Sequence, residues 1–412
     1  MIRRKLFLDL KTHLLKKEFT ILTGARQTGK STLLRQLEEY CREQDIPVLF
    51  LNLDNKPILQ ELNQSPLNLL KFIPESSQRI IVLVDEVQYL DDASNFLKLL
   101  YDEHAGKLKI VATGSSAFYI DDHFRDSLAG RKKLFHLYTC SFDEYLEIGG
   151  KQQLLQELRN ILSKNDYRST QIELLGIEWE RFMIYGGYPS VITEPEAEEK
   201  INRLKEIRDS FVKRDILEAG VQNETAFYNL FKILAAQSGS LVNVNELAST
   251  LRIKNETVVN YLTVLQKSFH IAMVKPYSGN VRKELTKMPK VYLMDTGLRN
   301  CLLGNFQQLA FRADKGELWE NMMFKLLADK YELDEINYWR TTAGNEVDFV
   351  LPGINEPKAI EVKFDQNLVK PNKYRIFAEA YPALPLHFSW MVPFDEDFFR
   401  RNQVIHLHAC SS

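Results

Sequence analysis

The stretch GARQTGKST, residues 24–32, stands between the apolar run FTIL at 19–22 and the leucines Leu33 and Leu34. Read outward, it is a buried strand, a loop with two glycines and a lysine, and a helix whose first turn carries leucines. Gly24, Gly29, Lys30 and Ser31 fall on the spacing G-x-x-x-x-G-K-[ST]. That spacing suits an anion: glycines let successive backbone N–H groups converge, and the helix behind them presents the positive end of its dipole. Ala25, Arg26, Gln27, Thr28 and Thr32 complete the cradle. Lys30 is expected to neutralise the β and γ phosphates of a nucleotide, and Ser31 to hold Mg²⁺. A glycine-rich turn without a ligand is the alternative, and it leaves the strand-to-helix context unexplained.

A phosphate cradle binds; hydrolysis needs carboxylates. They appear in RIIVLVDEVQYL, residues 79–90, where an unbroken apolar strand of the buried parallel kind ends in Asp85 and Glu86. Asp85 is placed to hold Mg²⁺ through water, and Glu86 to orient or deprotonate the attacking water. A third strand, KLKIVATGSS at 107–116, ends in Thr113, Ser115 and Ser116, whose hydroxyls can sense a γ-phosphate. LAGRKKLFHLYTCSFDEYL follows at 128–146, with Arg131 after a glycine.

This order resembles the AAA+ class of P-loop ATPases, specifically the bacterial and archaeal group marked by GARQTGKST, DEVQ, TGSS and AGR. The resemblance implies ATP and Mg²⁺ as cofactors. It also implies that Arg131 is a finger completing a neighbour's or its own nucleotide site, hence self-association through this domain. A surface charge beside Lys132 and Lys133 is the other reading of Arg131. YGGYPSVI, residues 185–192, resembles the lid segment whose proline packs on adenine, which would place Pro189 at the nucleotide; a plain turn proline is the alternative.

At 412 residues the chain exceeds one ordinary core and calls for two or three domains. With 45% hydrophobic and 26% charged residues it is globular in composition, which excludes a largely disordered protein. A formal net charge of -2 carries no global nucleic-acid signal, although local patches can hide in it. Cys41, Cys140, Cys301 and Cys410 are far apart, unlike a zinc finger or a disulfide framework, and fit a reducing cytoplasm. The basic start is interrupted by Asp9, Lys11 and His13 before a signal-peptide core can form, and no apolar run is long enough for a bilayer, so no membrane partner is expected.

Residues 151–210 read as helices of a lid and connector. AFYNLFKILAAQSG (226–239), NVNELASTL (243–251) and NETVVNYLTVLQKSF (255–269) then give three helices, Asn243 capping the second. Strand-like HIAMVKPY (270–277) and KVYLMD (290–295) flank the basic loop SGNVRKELTKMPK. Helix, short helix, turn, helix and hairpin is the order of a winged helix-turn-helix. Between Arg252 and Lys290 eight Lys or Arg face Glu256 and Glu284 alone, an excess of six that would attract DNA phosphates. Packing against the nucleotide domain or a protein partner is the competing reading.

The last third opens with KGELWENMMFKLLADKY (315–331), a helix with Glu317 and Glu320 early in it. EINYWRTTAGNEVDFVL (335–351) reads as a hairpin and KAIEVKF (358–364) as a third strand, with Glu361 and Lys363 on one face by alternation and Asp348 beside them if the strands pair. Carboxylates with a lysine suit a divalent metal and a phosphodiester. The arrangement resembles the PD-(D/E)XK nuclease superfamily. The resemblance implies Asp348, Glu361 and Lys363 as catalytic residues and Glu320, Asp348 and Glu361 as metal ligands; a silent domain of the same fold is the alternative. His406 and His408 lack a third ligand nearby.

The expected fold is therefore α/β in four parts: an AAA+-like P-loop NTPase core at 1–150, a helical lid and connector at 151–222, a winged helix-turn-helix at 223–305 and a restriction-endonuclease-like α/β domain at 306–412. The expected function is Mg²⁺-dependent ATP binding and hydrolysis coupled to action on DNA. The other reading is an ATP-switched regulatory or scaffold protein with a silent nuclease fold.

Overall fold

A computed structural model describes residues 4–74, 78–114, 128–218, 220–278 and 288–402, with the side chains of 213–218 left aside. The chain forms two compact units: Met1–Tyr138 with Lys267–Phe269, and Thr139–Gln266 with His270–Ser412.

In the first unit, β1 (Phe19–Thr23), β2 (Val48–Asn52), β3 (Ile80–Asp85), β4 (Leu108–Gly114) and β5 (Lys132–His136) make a five-stranded sheet in the order β2-β3-β4-β1-β5. Every pairing is parallel. The three inner strands β1, β3 and β4 are buried along their whole length, as expected of strands covered on both faces. Their alternation separates two cores. Ile21, Val82, Val84, Ile110 and Ala112 join Phe96, Leu97 and Leu100 of the helix Ala93–His104. The intervening Leu22, Ile81, Leu83 and Val111 meet Leu33, Leu34 and Leu37 of the helix Lys30–Glu43, together with Phe7 and Leu10 of the helix Leu6–His13. A two-residue period thus dictates two apolar layers around one sheet.

The residues on either side of the expected boundaries at 150, 222 and 305 belong together to the second unit. Its helices Phe142–Ile148, Gln152–Ser163 and Ile172–Tyr185 pack with the C-terminal helix Glu396–Asn402. Trp179, fully buried, meets Phe142 edge-on at 4.8 Å, Phe398 at 5.3 Å and Trp319 at 6.3 Å between ring centroids. Arg400 donates to the carbonyls of Ile161, Lys164 and Tyr167 at 3.0, 3.1 and 3.0 Å, in the last turn of the helix Gln152–Ser163 and the segment that follows it.

The order expected of residues 223–305 is present: helices Glu224–Ala236, Val244–Leu251 and Asn255–Lys267, then β6 (Ile271–Pro276) and β7 (Lys290–Leu293) paired antiparallel. Asn243 caps the middle helix through the backbone N–H groups of Asn245 and Glu246, and Arg252 closes it in the left-handed conformation. The hairpin is not a separate wing. With β8 (Asn337–Arg340), β9 (Glu346–Leu351), β10 (Lys358–Asp365) and β11 (Leu386–Val392) it forms a six-stranded sheet ordered β11-β10-β9-β8-β6-β7, in which β6 runs parallel to β8. The boundary expected at 305 cuts through this sheet because strand partners distant in sequence leave no local signal. The helix Lys315–Ala328 packs on β10, burying Leu318, Met322 and Leu326. Arg282, Lys283, Lys287, Ser115, Ser116, Cys410, His406 and His408 lie outside the described residues.

Candidate functional site

The nucleotide cradle is built where β1 ends. A Cβ on Gly24 would stand 2.1 Å from the Leu137 carbonyl oxygen, and Gly29 adopts φ 97°, so both positions require glycine. The helix starts at Lys30, whose Nζ donates to the carbonyls of Gly24 and Ala25 at 2.8 and 2.9 Å. Thr28 Oγ1 donates to Ala25 O at 2.9 Å. Arg4 pins the loop from outside, reaching Thr28 O at 2.8 Å and Tyr138 O at 2.9 Å. Sequence reading took Arg4 only as part of a basic start. Ser31 sits exposed in the first turn of the helix.

Asp85 ends β3, and β4 separates it from β1, so Asp85 and the loop face the same sheet edge about 10 Å apart across two strand spacings. Thr113 of β4 lies in register with Leu22 of β1, fully buried. Its Oγ1 donates to Asp85 Oδ1 and accepts the Glu86 N–H at 3.1 Å. Glu86 adopts φ 60°, ψ 49°, a left-handed conformation that costs a non-glycine residue about 1–3 kcal/mol. Its Oε2 accepts from Gln88 Nε2. The Tyr89 phenol is pushed up by burial and then by the charges of Glu86 and Asp54, with Arg26 of the loop acting in the opposite sense.

Arg131 does not belong to this edge of its own unit. Its carbonyl accepts from Phe19 N–H, and β5 pairs Lys132 with Phe19 and His136 with Thr23. Arg131 therefore stands at the start of β1, about 13–16 Å along the strand from the loop that follows Thr23. Its guanidinium holds Asp102, Nε to Oδ1 at 2.7 Å and Nη2 to Oδ2 at 3.3 Å. Of the two sites it was expected to complete, a neighbour's or its own, this parallel register sets it away from its own loop. Pro189 opens the short helix Pro189–Ile192 in the second unit.

The second unit gathers the other constellation. Glu320, Asp348, Glu361 and Lys363 come together, but with Lys290 of β7 among them. Lys290 Nζ lies 2.6 Å from Glu346 Oε1, 3.2 Å from Glu320 Oε1 and 3.4 Å from Asp348 Oδ1, its side chain 2% exposed. Tyr292, two residues on, donates its hydroxyl to Glu320 Oε1 at 2.6 Å. The Val362 N–H donates to Asp348 Oδ2 at 2.9 Å. Glu361 Oε1 accepts from Lys363 and, at 2.6 Å, from the Tyr374 hydroxyl. Burial, then the charge of Asp348, raises the carboxyls of Glu320 and Glu361 to about 7 each. Burial alone would lower Lys290, but the fields of Tyr292, Glu320, Asp348 and Glu346 hold its ammonium well above the usual lysine range.

As arranged, these carboxylates do not fit a divalent cation. An ammonium already lies within 3.4 Å of Glu320, Glu346 and Asp348, and among the described residues no three His, Cys, Asp or Glu side chains are grouped to hold a metal. Of the metal set expected, Glu320 and Asp348 hold the Lys290 ammonium and Glu361 that of Lys363. Lys290 also leaves the basic tally of the hairpin, because it is buried rather than offered to phosphates. Sequence reading missed Lys290, Tyr292, Glu346 and Tyr374. Alternation in KVYL was the available signal, since it sets Lys290 and Tyr292 on one face.

Residues 16–146 match a family model described as an AAA domain, 177–309 a domain of unknown function (DUF8612) and 315–410 another (DUF4143). An uncharacterized protein of Haemophilus influenzae is 27% identical over 357 residues, covering 84% of this chain and 82% of that protein. One of Mycobacterium tuberculosis is 26% identical over 364 residues, covering 88% and 74%. Among solved structures, the Aeropyrum pernix ORC2 protein in ADPNP-ADP complexes aligns with a TM-score of 0.37 at 13% identity, covering 73% of this chain and 90% of that one. AMPPCP-bound DnaA from Aquifex aeolicus aligns with a TM-score of 0.32 at 14% identity, covering 65% and 89%. Likenesses this distant carry no argument about function.

Proposed function

The first unit carries an AAA-type P-loop domain, and we propose that the chain is an ATPase that uses Mg²⁺ and acts on DNA. One observation carries the catalytic half: Thr113 holds both Asp85 Oδ1 and the Glu86 backbone at the strand end beside the Gly24–Lys30 loop. Ser31 and Asp85 are the residues that would hold Mg²⁺, which when bound shields the phosphate oxygens. The loop's N–H groups and Lys30 bind and orient the triphosphate. Glu86, fixed by its unusual backbone, takes a proton from the water whose oxygen bonds the γ-phosphorus. The bond from that phosphorus to the β–γ bridging oxygen breaks, and ADP and phosphate leave.

The DNA half rests on the helices Val244–Leu251 and Asn255–Lys267. Arg252 and Lys254 are exposed in the turn between them, at the positive end of the second helix. That helix exposes Val259, Asn260 and Gln266, polar and apolar groups suited to base edges. In this reading the hairpin and nuclease-like sheet support the DNA-contacting helix, and cleavage is not part of it. The scaffold reading gains one observation, the burial of Lys290, which removes a cation from the wing.

A gel-shift titration on duplex DNA, with ATP or ADP and across a salt series, tests the proposal. Binding that weakens with salt and changes with the nucleotide supports it. The double variant Arg252→Glu/Lys254→Glu should lose most of the affinity about equally across sequences. Salt-independent binding, or none, favours the scaffold.

A further inference from the structure

The acidic centre of the second unit is neutralised by a residue from a different part of the fold. Glu320 comes from the helix Lys315–Ala328, Glu346 and Asp348 from β9, and Lys290 from β7, which follows the helix-turn-helix segment in the chain. One ammonium touches all three carboxylates. Glu361 already holds the Lys363 ammonium on its Oε1 and keeps its other oxygen as a further acceptor. It is 4% exposed, and its Oε2 is a buried acceptor without a hydrogen-bond partner among the described residues. A carboxylate oxygen so placed is costly unless a cation or a proton lies near it.

We infer that Lys290 is a built-in counter-ion that occupies the cation position of this cluster, keeping the native site free of divalent metal, and that removing its charge opens a site for a divalent cation. The ammonium supplies one charge and three donors, whereas a divalent ion would supply two charges and draw the same oxygens inward. The two cannot share the position. Because Lys290 rides on the hairpin strand, a displacement of that hairpin would carry the counter-ion out with it. The inference goes beyond the nucleotide chemistry and stands whether or not ATP is hydrolysed.

The test is Mn²⁺ binding to the full chain without nucleotide, followed by electron paramagnetic resonance of free Mn²⁺ and by the melting temperature. Native protein, Lys290→Met, Lys290→Gln, Asp348→Asn and the double variant Lys290→Met/Asp348→Asn are compared. Counting only uptake that Asp348→Asn abolishes sets aside any ion at the P-loop. Native protein should show no such uptake. Lys290→Met should bind one equivalent at least about 100-fold more tightly than the weakest binding the titration detects, and Mn²⁺ should raise its melting temperature while leaving that of the native chain unchanged. Lys290→Gln, which keeps a polar donor, serves if Lys290→Met does not fold. Asp348-dependent uptake by the native chain, judged against Asp348→Asn alone, would overturn the inference. So would a folded Lys290 variant that takes up no Mn²⁺.

Discussion

Thr113 donates its hydroxyl to Asp85 Oδ1 across neighbouring parallel strands. Thr113 Oγ1 also accepts the Glu86 N–H, so one buried side chain holds both the Asp85 carboxylate and the Glu86 backbone. Thr113→Val keeps the shape and removes the donor and acceptor. Turnover of ATP should fall about 10–100-fold, the size expected for a lost positioning contact, while nucleotide affinity stays within a few-fold. Steady-state hydrolysis and a fluorescent-nucleotide titration measure the two; equal loss in both would mean that Thr113 serves binding instead.

Arg131 stands at the far end of β1 from the loop and is paired with Asp102. Arg131→Ala should therefore leave ATP affinity of the dilute protein unchanged. If turnover falls, the loss should appear only as protein concentration rises, because only a second copy could bring this arginine to a nucleotide. A concentration-independent loss of ATP affinity would contradict the placement.

Arg400 joins the last helix to three carbonyls more than two hundred residues earlier. Arg400→Ala leaves those acceptors to water or unpaired and should cost about 1–3 kcal/mol. Urea unfolding followed by tryptophan fluorescence reports this, since Trp179 and Trp319 are buried in the same unit.

The carboxyl of Glu361 is raised from 4.5 to about 7 by burial and by Asp348. The folded state therefore holds this proton more tightly than the unfolded chain. Its stabilising contribution is complete below about pH 4.5, declines as pH rises and is lost above about pH 7. Relative to Glu361→Gln, the native chain should lose stability steadily between these limits and level off beyond them. Urea midpoints for both proteins at several pH values would show it, and a difference independent of pH would contradict it.

The P-loop and the acidic strand end were legible because both are local: a strand, a turn and a helix start lie within a dozen residues, and their chemistry follows from side chains at fixed spacing. Asp348, Glu361 and Lys363 were legible for a related reason, strand alternation and a short hairpin. Lys290 was not, because its partners lie 30 to 58 residues away and meet it only after β6 joins β8. Placed beside Arg282, Lys283 and Lys287 in the chain, it looked like one more surface cation. Arg131 was legible only in part. The motif gave its neighbours, but only the parallel register of β5 on β1 reveals which end of the strand it occupies.

The catalytic assignment of the loop and Glu86 is tested most directly by single-turnover hydrolysis of ATP with Mg²⁺, measured for native protein, Lys30→Ala and Glu86→Gln alongside nucleotide binding. Lys30→Ala should bind ATP weakly or not at all. Glu86→Gln should bind with native affinity and lose hydrolysis by about 100-fold or more. Hydrolysis by Glu86→Gln at the native rate would contradict the account.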